Sequence, residues 1–596
     1  MVLLITAMVI YYSLMFWAIK EGDIYRCLQK LTKREIVINL IMAFVAILMA
    51  YSLNIRENYI YYWDHSTYWI KSLEAFDICN KSLFTAIKGV ISSIYFDDYN
   101  LLQGMLMALP LKVLGNQYLS YILVIYIQFL IPTSFVVTII IMNLLKKYSS
   151  EGIKSYYIFG CNLFFVWFWQ PALNGYADMA AVSLVALCVL ISFSMDFCSF
   201  DPIKSILISV MLLGSMLLRR YFAYWVVGYS CSIFIIALLQ MKHFGWSKIK
   251  LSIISIIKNF IVIYGSMIVI LVTLFKPFLV RSLFNSYSIA YQAYNTSDFF
   301  SKILELVKYM GVIYAIAVLC MTCYSMRKKK YLDEVIFLLI SSCISVFVFY
   351  RTQNMGIQHY YIISVQMLIL IALGIFILAD NAGRFSKVVL LASVSMYMLN
   401  FAHGISLLPG ALQSNIIWSN NTYKPKQRGD MEEILLLKKY IKDMTPEREG
   451  VYVIGSSVIM TSDILSCSYL PNLTPDINIL SASQVDLRDG FNTSFFEAKV
   501  IVCATPAQYH LSPETQRVTG ILTDEFENEN SPIRKKYILG NSFVIENGVK
   551  VNVFIRTEDF TQTEVGYLAN KFDEYYSDYP ELFSVRFSNY VKSLED

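Results

Sequence analysis

Long apolar runs separated by short polar stretches fill the first two thirds of the chain. A bilayer crossing needs about 20 mostly apolar residues. Backbone polar groups left unpaired in lipid are costly, so each run predicts a helix. The runs fall near 2–19, 36–54, 117–145, 155–171, 176–197, 203–219, 221–241, 256–279, 307–325, 335–350, 360–379 and 388–407. Beyond residue 407 the pattern changes. Asp, Glu, Asn, Pro and Thr return, and 419–428 reads as a linker rich in Asn, Lys and Pro. Apolar residues at helical spacing follow over 431–444, then short buried strands at 451–455 and 500–503. The expected fold class is mainly α. A polytopic helical membrane domain of about twelve spans covers 1–407 and carries a large loop at 55–116. A linker over 408–428 leads to a small α/β domain over 429–596.

Composition narrows the class. Of 596 residues, 57% are hydrophobic and 16% are charged, against about 25% charged in soluble domains. Mean hydropathy is +0.53. Soluble, disordered and collagenous chains are excluded. A net charge of +5 is small for this length and gives nucleic-acid binding no support. Its distribution says more. Lys20, Arg26, Lys30, Lys33 and Arg34, then Lys146, Lys147, Lys154 and Lys204, then Lys242, Lys248, Lys250 and Lys258, then Arg327 through Lys330, Arg384 and Lys387 crowd alternate loops. The positive-inside rule puts those loops in the cytoplasm, leaving the N-terminus, the loop 55–116 and the tail outside. The first run lacks a basic leader and a small-residue cleavage site, so it is expected to stay as a span. The cysteines form no Cys/His cluster of zinc spacing. Cys320 and Cys323 read as apolar filler, and nothing argues for a bridge between Cys467 and Cys503. There is no internal repeat and no phosphate-binding glycine pattern.

Candidate chemistry gathers in the outside segments. Asp64 sits among Tyr61, Tyr62, Trp63 and Trp69, and Asp97 and Asp98 follow before a short apolar stretch at 101–114. The aromatics suit an interfacial belt, with Asp64 either a solvated loop acid or a functional one. Asp178 opens a span. It is either a helix cap or, as an acid at a membrane face, a site residue. Arg219 and Arg220 lie on the side where basic residues are sparse. They read as snorkelling anchors or as a phosphate clamp, which the planar guanidinium suits. Lys276 and Arg281 are further candidates on that side. The segment 351–361 brings Arg351 and His359, the latter either a structural hydrogen-bonding residue or part of the site.

These features resemble the GT-C superfamily of membrane glycosyltransferases, whose protein O-mannosyltransferases and bacterial aminoarabinose transferases show a similar layout. Asp64 matches the acid of the first large outside loop. The stretch 96–115 matches the second half of that loop, though the Lys-Pro-Pro-Leu run is missing, which leaves the lipid-phosphate lysine of some relatives without a counterpart. Pro171 to Ala180 resembles the acid-bearing start of a later span, and 351–361 resembles an Arg/His-Tyr segment. Segments 485–492 and 505–510 of the tail resemble parts of bacterial proteins with GT-C membrane regions and suggest no mechanism of their own beyond acceptor recognition.

The resemblance implies a glycosyltransferase that takes a sugar from a polyprenyl-phosphate donor. The acceptor would be an extracytoplasmic glycan, a cell-wall polymer or a lipid-linked molecule. Asp64 would be the base, with Asp178 supporting it, orienting the acceptor or holding a metal. Asp97 and Asp98 would bind substrate or compete with Asp64. Arg219, Arg220 and Arg351 would hold phosphate, with His359 beside the substrate. Some relatives use a divalent metal ion, so one is allowed but not required. Membrane lipid is the expected surrounding. A flippase of lipid-linked saccharides would favour internal repeats and midplane charges, and a non-catalytic scaffold binding cell-wall polymer would be indifferent to Asp64.

Overall fold

The computed structural model describes residues 1–22, 31–148, 154–241, 246–285, 287–414, 416–466 and 477–594. Arg26, Lys30, Lys242 and Cys467 lie outside them. The chain forms two compact units. The first is Met1–Arg56, Asp64–Asn285 and Ser297–Pro425, and the second is Glu57–Trp63, Ser286–Thr296 and Lys426–Asp596.

The first unit is helical. Among the described residues, eight helices are long and apolar enough to cross a membrane. Seven of them are Val2–Glu21, Lys33–Asn54, Tyr118–Tyr148, Phe222–Met241, Ile249–Thr273, Leu332–Tyr350 and Gly383–Gly404. The eighth, Tyr361–Asn381, is 94% enclosed by protein, whereas Lys33–Asn54 buries only 22% of its most apolar stretch and leaves the rest for lipid. A bundle in lipid needs such a fully apolar centre and an apolar rim alike. In Tyr118–Tyr148 a π-helical turn at Tyr126–Leu130 precedes Pro132. The widened turn accommodates a residue with no N–H to donate.

The other four expected spans take shorter or broken forms. Met179–Ser194 and Pro202–Leu218 are apolar helices of 16 and 17 residues. Val312–Lys328 follows Phe299–Met310 after a 99° bend. The stretch expected as one span over 155–171 is two helices, Ser155–Leu163 and Val166–Leu173, broken at Phe164 and Phe165. The Trp169 indole donates to the Leu163 carbonyl at 2.6 Å, so one carbonyl freed by the break is paired. Hydropathy registers only the apolar run and is blind to this break. The loop 55–116 is largely helical as well: Asp64–Lys81, Leu83–Phe96 and Leu101–Leu114.

The second unit contains one five-stranded sheet of β1 (Gly450–Ile454), β2 (Asn478–Ser481), β3 (Val500–Thr505), β4 (Tyr537–Val544) and β5 (Lys550–Arg556). The order is β2-β1-β3-β5-β4. β1 runs parallel to β2 and β3, and β5 runs antiparallel to β3 and β4. Alternation along the strands feeds two cores. Val451, Val453, Val500 and Val502 face Ile434, Leu437 and, from the segment before Asp64, Ile60 and Tyr62. Tyr452, Ile501 and Cys503 face Phe491, Phe526 and Phe572. Helix Met431–Met444 lies where its spacing predicts it. The hairpin of β4 and β5 was carried by a turn signal that hydropathy does not register, Asn547-Gly548, with both residues at positive φ. Cys503 is a buried free thiol.

The aromatics around Asp64 are not a lipid-facing belt. Trp69 is 2% exposed and its indole donates to the Asn116 carbonyl at 2.9 Å. Trp63 packs against Tyr62 and His510, and its backbone N–H donates to Asp463 Oδ2 at 2.9 Å. Their alternative to water is protein rather than headgroup.

Helix Phe222–Met241 crosses Leu332–Tyr350 at Gly228, where an added Cβ would collide with the Ser341 carbonyl and the Ser345 side chain. Overpacking of this kind costs about 1–3 kcal/mol. Gly228→Leu is therefore expected to melt earlier than wild type in detergent, as followed by tryptophan fluorescence. An unchanged melting curve would show that the crossing tolerates a side chain.

Candidate functional site

Helix ends build the site. Helix Pro202–Leu218 stops with its last carbonyls unpaired within the helix. Asn100 donates to the Leu217 carbonyl at 2.7 Å, and the Tyr68 hydroxyl donates to the Leu218 carbonyl at 3.2 Å. Asn100 also caps Leu101–Leu114 by accepting from the Leu102 N–H at 3.0 Å. These contacts bind the loop helices to the end of Pro202–Leu218. Arg219 then leaves in an extended conformation, φ −152° and ψ 113°.

The Arg219 side chain, 9% exposed, lies between two carboxylates. Its Nε is 3.0 Å from Asp178 Oδ1 and its Nη2 is 3.7 Å from Asp64 Oδ2. The Nε–H is not aimed at Asp178. The pair is a charge contact, and both Asp178 oxygens lack a hydrogen bond from the described residues. Nη2 donates to the Tyr99 hydroxyl at 2.9 Å, and that hydroxyl donates to Asp64 Oδ1. Gln358 Nε2 donates to Asp64 Oδ2 at 3.3 Å. The guanidinium carbon is 4.0 Å from the Tyr99 ring centre and 5.4 Å from that of Tyr221, within cation–π range. Burial holds the Tyr99 phenol well above its ordinary pKa, with the Arg219 charge opposing, so it remains a donor.

Accessibility differs sharply within this group. The Asp64 side chain is 30% exposed and that of Asp178 is 1% exposed. Asp64 is the solvent-accessible end of this group. Asp178 does not cap its helix, since its side chain accepts nothing from the first turn. The turn before it is fixed by His65, whose Nδ1 donates to the Asn174 carbonyl at 2.8 Å, and by Tyr121, whose hydroxyl donates to the Gly175 carbonyl at 2.6 Å.

A second cluster is basic. Asp98, whose side chain is 44% exposed, lies 2.7 Å from Arg220 Nη1 and 3.7 Å from Arg281 Nη1. Arg281 also donates to the carbonyls of Phe96 and Asp97, the latter at 2.8 Å. Asp97 pairs with Lys71 at 3.2 Å.

Of the residues expected from sequence, Asp64, Asp178 and Arg219 form one group, and Asp98 and Arg220 another. Arg351 is exposed at the end of Leu332–Tyr350 and makes no ion pair among the described residues. His359 packs between Tyr221 and Phe349 and accepts from the Gly356 N–H at 2.9 Å. Burial and the Arg219 charge push its pKa down to about 3, so it is neutral at ordinary pH. Its segment contributes Gln358 instead. Gln358 and Tyr99 are the residues that sequence reasoning missed. The available signals were their positions beside His359 and after Asp97-Asp98.

Among the described residues no three His, Cys, Asp or Glu side chains converge. Between Asp64 and Asp178, the positive charge belongs to Arg219.

No family model and no curated protein sequence matches this chain. Among solved structures it is similar to ArnT from Cupriavidus metallidurans, determined bound to undecaprenyl phosphate. The TM-score is 0.45 and the identity 11%, over 87% of this chain and 97% of that one. A likeness of that size assigns no residue its role.

Proposed function

We propose that the chain is an integral membrane glycosyltransferase of the GT-C type. It moves a sugar from a polyprenyl-phosphate donor to an extracytoplasmic glycan, cell-wall polymer or lipid-linked acceptor, with inversion. One observation carries this reading. Asp64 is a partly exposed carboxylate oriented by a buried arginine, and that arginine is anchored on a second, enclosed carboxylate.

The chemistry follows from that arrangement. An acceptor hydroxyl attacks the anomeric carbon while Asp64 takes its proton. The bond from that carbon to the phosphate oxygen breaks, and the electron pair leaves with the lipid phosphate. A single displacement inverts the anomeric centre. Arg219, Tyr99 and Gln358 are positioning residues that hold the Asp64 carboxylate. Asp178 anchors Arg219. Arg220 and Arg281, two cations sharing one half-exposed acid, suit the departing phosphate. Arg219 was expected at the phosphate. Its burial between two acids favours the positioning role instead.

Asp64→Asn keeps the shape and removes the proton acceptor. General-base catalysis contributes about 10²- to 10⁴-fold, so turnover should fall by that order. The assay uses purified chain in nanodiscs with a panel of polyprenyl-phosphate sugars. Near-normal turnover of Asp64→Asn, with an inactive Asn variant at 97 or 98, would move the base to that residue. Normal turnover of all such variants, Asp178→Asn included, would end the enzyme reading.

The two arginine sets should separate kinetically. Arg219→Lys loses the planar fork and is expected to lower kcat with little change in donor KM. Arg220→Gln is expected to raise donor KM, by tenfold or more if a charge-assisted phosphate contact of about 1.5–3 kcal/mol is lost. The reverse pattern would return Arg219 to the phosphate.

The reaction side can be checked by labelling intact cells with a membrane-impermeant thiol reagent, in a cysteine-free background. Glu432→Cys should label and Lys328→Cys should not, as the charge asymmetry requires. Labelling at 328 alone would put both the tail and the reaction on the other face.

A further inference from the structure

A polar cavity of about 450 Å³ lies in the second unit, beyond the end of β2 at Ser481. Its size is in the range of small-ligand sites, and the carboxyl ends of parallel strands are where α/β folds place ligands. The chain over 484–493 wraps it, and Arg586 from helix Ser584–Ser593 closes it.

The wall is pre-built. Asp489 accepts the N–H groups of Gln484 and Val485 at 2.9 and 3.0 Å, and it holds Arg488 through Nε at 2.6 Å and Nη2 at 2.9 Å. Arg586 Nη1 donates to the carbonyls of Asp489 and Phe491 at 2.7 and 3.0 Å. Gly490 has φ +66°, and a Cβ there would meet the Leu582 carbonyl and the Arg586 guanidinium, so only glycine lets Arg586 lie against this turn. Phe491 stacks on Phe587, with ring centres 4.5 Å apart.

Each arginine is thus fixed by one edge and lines the cavity. The lining holds two arginines, Arg488 and Arg586, and one carboxylate, Asp489, which pairs with Arg488, so the wall carries excess positive charge. Gln484 and Thr493 add an amide and a hydroxyl. Phe491, the aromatic residue of the lining, is fully buried and offers no apolar platform. Such a wall suits neither a lipid tail nor an aromatic ligand. It suits a polyhydroxylated molecule carrying an acid group, whose hydroxyls meet the mixed donors and acceptors and whose charge meets guanidinium.

We propose that this cavity binds an anionic saccharide, a sugar unit bearing carboxylate or phosphate. As an acceptor site it rests on the glycosyltransferase reading above; as a saccharide site it stands without it. The test is binding to the full chain in nanodiscs with no lipid donor present. Trigalacturonate, glucose 6-phosphate and the neutral maltotriose are titrated by microscale thermophoresis. One of the two acidic probes should bind at least tenfold more tightly than maltotriose, and which one does names the acid group. Arg488→Gln should weaken that binding at least tenfold. Thr493→Glu should do the same while leaving every hydrogen bond of the wall in place, so a loss there is not unfolding. Asp64→Asn should bind like wild type, whatever its turnover. Equal affinity for neutral and acidic probes, or no binding of either acid, overturns the ligand class. Undiminished binding by both cavity variants, or loss of binding in Asp64→Asn, overturns the site.

Discussion

Arg219 is a buried cation on which several segments of the membrane unit converge. A guanidinium that is 9% exposed and left without counter-charge would cost several kcal/mol. Arg219 meets that constraint with partners from well-separated parts of the chain. Asp64 and Tyr99 come from the large loop, Asp178 from the start of a short apolar helix, and Gln358, through Asp64, from the turn before Tyr361–Asn381. Any fold that buries this side chain must bring those segments together. The close approach of the loop helices to the end of Pro202–Leu218, through Asn100 and Tyr68, is the packing that allows it.

The residues of this group sit at helix ends or in the turns that join them. Asp64 begins Asp64–Lys81, Tyr99 lies in the turn before Leu101–Leu114, Asp178 precedes Met179–Ser194, and Arg219 follows Pro202–Leu218. There is a physical reason for the coincidence. Interior helix positions satisfy their own backbone, while ends leave N–H and C=O groups that lipid cannot pair. Ends at membrane depth must therefore be enclosed by protein and supplied with polar side chains. That requirement concentrates acids, amides, phenols and arginines in one place. Asp64 gains further, since a carboxylate in the first turn lies at the positive end of the helix dipole.

This explains how far the sequence could be read. Apolar runs report which segments prefer lipid or core, so the spans and the α/β tail were legible. The break at Phe164 and Phe165 was not, because both halves are equally apolar and the freed carbonyl is paired by Trp169, a residue with no hydropathy signature of its role. Asp64, Asp178 and Arg219 stood out as charges at apolar boundaries. That Arg219 lies between the two acids could not be seen, because three-dimensional adjacency across 64, 178 and 219 leaves no local pattern. Tyr99 and Gln358 carry no charge and drew no notice. Trp63 and Trp69 misled for the opposite reason, because aromatics beside an apolar run look the same whether they face headgroups or a protein core.

The two charge clusters differ in sign, and the reaction proposed for them requires that difference. Around Asp64 two acids face one arginine; around Asp98 two arginines face one acid. Removing a proton from an acceptor hydroxyl calls for local negative charge, while a phosphate accumulating charge as it departs calls for positive charge. The clusters are joined through neighbouring residues on both of their chain segments. Asp98 precedes Tyr99, and Arg219 precedes Arg220. In each pair one residue serves the acidic group and the other the basic group. A loop shift that displaced one cluster would displace the other with it, so the spacing between the two clusters is set by two short backbone steps rather than by long side chains. In the proposed reaction this coupling would keep the proton acceptor and the leaving-group site at a fixed separation, which in-line displacement at one carbon demands.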